Sequence, residues 1–349
     1  MTHMTARLAV IGTLLAAGTV FGQSVTGTIA VPSIDRWNYP FASQPGTETS
    51  VPTFAALRQA GFDDRDAQLV VGFNTDSVIP AGFGSGRYAI SSLDITIWVA
   101  VDNRFQYDGT FDSVTTSYDP AEVGYTVDAD EGKPIEIFPV GYRNGRTDTT
   151  YTESGAYSPF APFPPREGVR YAFAAAFDAQ GLPTIDISRH VRQHFEAPPL
   201  AIAVNPNLTP GQFVPVATPM TFHINLSSAA AQAYVARGFN AGHLRFMVSS
   251  LHAASGGPGG GTGDVIYPAF FSKENLLATD NGYTASMTIN ATAYPGADFN
   301  VDGGVDGSDI EAFFIAWESG EPQADFNMDG GVDGGDIEAF FIAWENGGG

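Results

Sequence analysis

The stretch "LDITIWVAV", residues 93–101, alternates without a break. Leu93, Ile95, Ile97, Val99 and Val101 fall on one side, and Asp94, Thr96, Trp98 and Ala100 on the other. Successive side chains of a strand point to opposite faces, so one face here is core and the other at least partly wet. Further short apolar runs follow at 134–142 ("PIEIFPVGY"), 170–177 ("RYAFAAAF"), 200–204, 221–226, 244–251 and 283–289. Gly, Pro and Asn fill the gaps, as in "NPNLTPGQ" (205–212) and "SGGPGGGTGD" (255–264), which marks these as turns and loops. Many short strands without alternating long helices predict a mainly β domain over 23–295, a β-sandwich or jelly roll. Two helical interruptions are expected on its rim. One is the Ala-rich segment 228–238, opened by Ser228 and closed by Gly238; the other is a short turn of helix at 186–195, opened by Asp186 or Ser188.

Charge and composition narrow the function classes. Acids outnumber bases 38 to 16, and a net charge of −22 repels phosphate backbones and anionic headgroups. Nucleic acid and membrane surface are therefore poor partners. The absence of Cys removes disulfides, thiolate zinc and a Cys nucleophile together. At the N-terminus Arg7 precedes "LAVIGTLLAAGTVFG" (8–22), an apolar run of about fifteen residues, short for a membrane span and right for a signal-peptide core. Val20 and Gly22 suit cleavage after Gly22. The expectation is a signal peptide over 1–22 and a secreted or cell-surface protein with no membrane insertion after cleavage.

The C-terminus writes one sentence twice: "DFNVDGGVDGSDIEAFFIAWESG" (298–320) and "DFNMDGGVDGGDIEAFFIAWENG" (325–347), with a period of 27 residues. On a twelve-residue EF-hand loop, the first copy puts Asp298, Asn300, Asp302, the Gly304 carbonyl, Asp306 and Asp309 at positions 1, 3, 5, 7, 9 and 12, with Gly303 at the turn. The second supplies Asp325, Asn327, Asp329, Gly331, Asp333 and Asp336 in the same frame, with Gly330 at the turn. A hard cation takes six to eight oxygens, and alternate loop positions point inward to supply them. Two Ca²⁺ ions are expected. Residues 298–349 carry eight Asp and five Glu with no Lys or Arg, so without metal this segment repels itself. In the helix after each loop, Ile310, Phe313, Phe314 and Trp317, then Ile337, Phe340, Phe341 and Trp344, form one apolar stripe at i, i+3, i+4 and i+7. Neither helix can bury that stripe alone; two packed together can.

This doubled arrangement resembles the type I dockerin, in the compact GC-type variant that shares the wording DGxVDGxDIxxFxxAW, over 298–347. The resemblance implies a tandem EF-hand-like α-helical domain over 296–349, a cohesin-like protein or cell-surface scaffold as partner, and polysaccharide-binding or polysaccharide-degrading cargo. Positions 10 and 11, which in the family help to choose the cohesin, are the small residues Gly307 and Ser308, then Gly334 and Gly335. A second, looser resemblance covers about 65–290. The succession "SLDITIWVAV", "IDISRHV", "HLRFMVSSLH" and "YPAFFSKEN" is similar to DNRLRE-type jelly rolls, which are similar to carbohydrate-binding modules; it implies the fold and a lean towards glycan binding.

Elsewhere the chemistry is thin. "HVRQH" sets His190 and His194 one helical turn apart, but Val191 stands where a zincin needs its Glu, and two exposed histidines are the plainer reading. "GFGSG" (82–86) reads as a turn, and no G-x-S-x-G elbow occurs. Glu131, Glu136, Glu153, Glu167 and Glu274 are candidate glycosidase carboxylates or simply surface charge. Aromatics at 37–41 and 156–165 stack on sugars or pack on the core. No catalytic residue is assigned. The leading expectation is a non-catalytic exported protein with a dockerin anchor and a β domain that binds polysaccharide. The alternatives are a glycoside hydrolase or lyase carried by a dockerin, and a structural surface-layer component.

Overall fold

The computed structural model describes residues 23–160, 167–254, 266–326 and 331–348. The signal peptide expected over 1–22, the glycine-rich loop 255–264, the aromatic run beyond 160, and Asn327, Asp329 and Gly330 lie outside the described residues. Ser24–Ala293 forms one compact unit, and the tail from Tyr294 belongs to a second.

The first unit is mainly β. Its strands are β1 (Gln23–Ile29), β2 (Ile34–Asn38), β3 (Ser50–Pro52), β4 (Phe54–Ala55), β5 (Arg65–Asn74), β6 (Tyr88–Trp98) and β7 (Ile135–Tyr142). They continue with β8 (Ala172–Ala176), β9 (Ile185–Asp186), β10 (Ala201–Val204), β11 (Pro219–His223), β12 (His243–Ser250), β13 (Ala269–Phe271) and β14 (Ser286–Ala293). One large curled sheet runs β1-β14-β6-β11-β10-β7-β12-β5-β2, with β4 on β5 and β8 and β9 beyond β7; β13 pairs with β3 separately. The registered pairs are antiparallel, for example Phe246 opposite Val71 on one side and Pro139 on the other.

The alternation at 93–101 is borne out. Leu93, Ile95, Ile97 and Val99 are buried in the main core, with Asp94, Thr96, Trp98 and Ala100 only partly covered. Met287 and Ile289 of β14, Phe222 of β11, Phe246 of β12 and Leu69, Val71 and Phe73 of β5 join the same core. Helix α1 (Ala229–Ala241) closes it with Ala231, Val235, Ala236 and Phe239. Ser228 caps its start by accepting from Ala231 N, as expected. The end differs: the helix passes through Gly238 and stops at Gly242, which adopts φ 76. A Cβ on Gly238 would lie 2.5 Å from Leu244 Cδ1, so this glycine serves close packing rather than termination. A short helix, α2 (Leu276–Asn281), was not foreseen.

Strands β5, β7 and β12 are covered on both faces. Val70, Phe138, Val140 and Met247 point away from the main core into a second one, with Ile34, Tyr151, Ala172, Ala174 and Ile187. This second layer is partly polar. Arg170, fully buried, donates from Nε to Asp63 Oδ2 (2.9 Å) and from Nη1 to Gln68 Oε1 (2.7 Å). Arg36, also buried, donates from Nη1 to the carbonyls of Thr152 and Gly155 at 2.7 Å each and lies 4.5 Å from the Tyr151 ring centre. These guanidiniums pin loop segments onto the sheet.

The expected helix at 186–195 is a series of turns following β9. His190 is buried rather than exposed: its Nε2 accepts from Arg65 Nε (3.0 Å), and burial and the Arg65 charge push its pKa down to about 2. His194 is exposed, at φ 56, and stacks on Tyr118. The pair therefore offers no shared metal site. Residues 85–87 form one 3-10 turn leading into β6, so "GFGSG" is a turn. At 37–41, Trp37, Tyr39 and Phe41 pack against one another and onto Phe54, as packing residues do. Among the described residues no helix is long and apolar enough to cross a membrane.

Buried histidines give a pH signature. His252 packs edge-on to Phe105 (5.4 Å), and burial, then the Lys133 charge, pushes its pKa down to about 3. A histidine depressed on folding contributes full stability above its unfolded value near 6.5, lost as pH falls towards the folded value, by about 1.4 kcal/mol per pH unit. Asp66, which burial pushes up to about 7, acts in the opposite direction and is common to any His252 variant. Denaturant titrations of wild type and H252L between about pH 6.5 and 4 should show a shallower fall for the variant by roughly that slope. Parallel curves would mean that His252 is protonated in the folded state.

Candidate functional site

In the tail, helix α3 (Gly307–Glu318) follows the first loop and helix α4 (Gly334–Gly348) the second. Asp306 is the N-cap of α3, and Asp309 completes a capping box by accepting from Asp306 N at 2.8 Å. Asp309 Oδ1 also accepts from Asn300 N (3.0 Å), while Asp298 accepts from Asp302 N and Gly303 N at 3.1 Å each. Gly303 takes φ 93, the left-handed bend that position needs. The carboxylates at positions 1 and 12, Asp298 and Asp309, are turned into the loop and fully buried, as is Asp336 in the second copy. Burial, with Asp309 and Asp302 nearby, pushes the Asp298 carboxyl up despite its backbone donors. In the second loop Asp333 N and Phe326 N donate to Asp336, and Gly335 N donates to Asp333 Oδ1. Asp325 and Gly331 are described; Asn327 and Asp329 are not. The donor set is all oxygen and suits Ca²⁺ by chemistry. In this structure the described loop carboxylates accept from backbone N–H groups, and they form no triad of converging oxygens.

The two copies meet about a local two-fold relation. Phe313 and its equivalent Phe340 stack face to face, 4.2 Å apart and 1° from parallel. Phe299 packs edge-on to Phe340, and its equivalent Phe326 edge-on to Phe313, both at 6.1 Å. Trp317 Nε1 donates to the Asp333 carbonyl of the second loop (2.7 Å), and Trp344 Nε1 to the Asp306 carbonyl of the first (3.2 Å). Each helix thereby holds the position-9 backbone of the other loop.

In the β unit a cleft of 380 Å³ opens between β7, α1 and β12, lined by Tyr142, Tyr234, Arg146, Arg237, Arg245, Asp148 and His243, among others. That volume falls in the range of small-ligand sites. Its cations are available: Arg146, Arg237 and Arg245 donate to the carbonyls of Thr150, Gly181 and Tyr151, and none forms an ion pair among the described residues. His243 Nε2 lies 2.7 Å from Asp148 Oδ2. Tyr234 is fixed in the cleft, accepting from Val140 N and donating to the Arg245 carbonyl. Burial pushes the Arg237 guanidinium pKa down, a cost that an anion would relieve. Within a chain of net charge −22 this is a local basic concavity. Sequence reasoning missed it because its residues come from separate segments with no motif among them.

The five candidate glutamates divide. Glu131 and Glu167 are exposed. Glu136 is buried against Arg65 (2.6 Å). The crevice beside it, lined also by Asp112, His190 and Glu196, has 10 Å³, room for about one water and not for a sugar ring. Glu153 and Glu274, with Asp35, surround the Lys273 ammonium at 2.9, 3.2 and 2.7 Å. No family model, curated protein or solved structure matches this chain.

The reciprocal indole contacts make a symmetric expectation. W317F and W344F each remove one donor and should each lower the denaturation midpoint of the helical tail, by about 1 kcal/mol, followed by far-UV circular dichroism. A large loss in one and none in the other would contradict the two-fold relation.

Proposed function

We propose that this is an exported, non-catalytic binding protein. Its dockerin-like tail folds around two Ca²⁺ ions and docks on a cohesin-like protein or surface scaffold, and its jelly-roll unit holds an acidic polysaccharide in the Arg146/Arg237/Arg245 cleft. For the tail, the supporting observation is the reciprocal pairing of Trp317 and Trp344 with the opposite loop's position-9 carbonyl. It makes two equivalent faces that depend on both loops being formed. The ions would be held by Asp298, Asn300, Asp302, Gly304, Asp306 and Asp309, and by Asp325, Asn327, Asp329, Gly331, Asp333 and Asp336. They would supply the positive charge that residues 298–349 lack.

For the β unit, the carrying observation is the set of three guanidiniums, unpaired with any described carboxylate, beside two tyrosines. Guanidinium forks match carboxylate and sulfate oxygens, and tyrosine rings offer flat apolar surface to a sugar face.

Two measurements test the two halves separately. EDTA should remove the helical far-UV signal of the tail while the strands persist; a tail that keeps its helices without calcium would uncouple metal from fold. The full chain should be retained on polygalacturonate, less so in high salt, and R146E/R237E should lose at least tenfold in affinity. Equal retention of the variant, or preference for neutral glucans, would move the ligand elsewhere. Sugar products released during the same incubations would make this a polysaccharide-degrading enzyme instead. Failure on every glycan, with self-association in light scattering, would favour a surface-layer component.

A further inference from the structure

Two triads of carboxylates converge among the described residues, each with its oxygens within 4.8 Å of one another. They look alike and differ in what neutralises them. Asp35, Glu153 and Glu274 enclose the Lys273 ammonium, which touches all three at 2.7–3.2 Å. That triad already has its cation.

The second triad is Asp108, Asp112 and Asp130, in the long connection between β6 and β7. Its nearest ammonium, Lys133 Nζ, stands 3.8 Å from Asp112 Oδ2 and 3.7 Å from Asp128 Oδ2, beyond hydrogen-bond reach. Four carboxylates thus share one displaced positive charge. Asp108 is 2% exposed; its Oδ1 accepts from Thr110 N and Oγ1 at 2.8 Å each, while its Oδ2 is buried without a donor. Asp112 Oδ2 is likewise buried without a hydrogen bond. Buried carboxylate oxygens without partners are costly, and the usual remedy is a proton or a metal ion.

The backbone is arranged to hold this concentration of charge. Gly132 takes φ 106, and a Cβ there would come within 2.7 Å of the Tyr107 carbonyl. Only glycine lets the 128–132 segment lie against 107–108, and that approach brings Asp128 and Asp130 to Asp108. Two oxygens bound to one Ca²⁺ are at most about 5 Å apart, which the triad satisfies. The donors are all hard oxygens, with no His or thiolate, so the site suits Ca²⁺ rather than zinc or copper.

We propose that Asp108, Asp112 and Asp130, with Asp128 beside them, bind one Ca²⁺ ion in the β unit, separate from the ions of the C-terminal loops. The ion would take the place that Lys273 fills in the other triad, and would tie the 108–112 and 128–132 segments together next to the strand start at Ile135.

The test compares full-length wild type with D112N, and with D130N as a second variant at a less buried position. Calcium per chain, measured by equilibrium dialysis and atomic emission, should fall by one ion in each variant. The tail is unchanged in all three proteins, so the difference does not depend on how many ions it takes. Equal counts in wild type and both variants would overturn the proposal. Thermal unfolding of the β unit separates a metal ligand from a merely structural aspartate. In EDTA the variants should be at least as stable as wild type, since each removes one of four like charges, and the rise in Tm that calcium gives to wild type should disappear. Variants less stable than wild type in EDTA that still gain from calcium would also overturn it.

Discussion

The β unit depends on the burial of charge along β5 and the turn before it. Asp63, Asp64, Arg65 and Asp66 are all at most 1% exposed, at the start of a strand whose 69–73 stretch carries apolar side chains on both faces. Arg170 answers Asp63 and Gln68, Arg65 answers Glu136 and His190, and Arg192 answers Asp64 at 2.8 Å. Each link joins β5 or its approach to a distant segment. Removing one partner strands a buried charge, which typically costs about 3–5 kcal/mol. This network sets the second layer over β5, β7 and β12, so that three strands are sandwiched while β6 and β14 keep one face in water.

The same balance of charge explains where ligands are expected. A chain with so few cations spends several of them internally: Arg36, Arg65, Arg170, Arg192 and Lys273 are committed to carbonyls or carboxylates inside the fold. Against that background the three arginines of the β7/α1/β12 cleft stand out because they line an open cleft and, among the described residues, pair with no carboxylate. The acidic cluster at 108–130 stands out in the opposite sense, since its nearest ammonium, Lys133, stands beyond hydrogen-bond distance. Both are local departures from charge compensation.

The tail works by a different constraint. Its core is aromatic and made of equivalents, with Phe313 on Phe340 at the centre and the two tryptophans reaching across to the opposite loops. A single loop and helix would leave these rings exposed and the indoles without those carbonyls, so duplication is a requirement of packing. Holding so many aspartates together without a Lys or Arg concentrates negative charge in this segment.

Much of this was legible in the residues themselves. Alternation at 93–101 marks a strand wet on one face, the Ser228 cap marks a helix start, and the doubled loop with its stripes marks the tail, because each of these is a local pattern with a local physical cause. Strand β5 was not legible: covered on both faces, it has no period of two, and its start is charged. His190 read as exposed because nothing nearby in sequence announces Arg65, and Gly238 read as a helix end because Leu244, which packs on it, is supplied by another element. The arginine cleft and the aspartate triad are tertiary facts. Their members come from separate segments, and only folding decides which charges meet a partner within the chain and which do not.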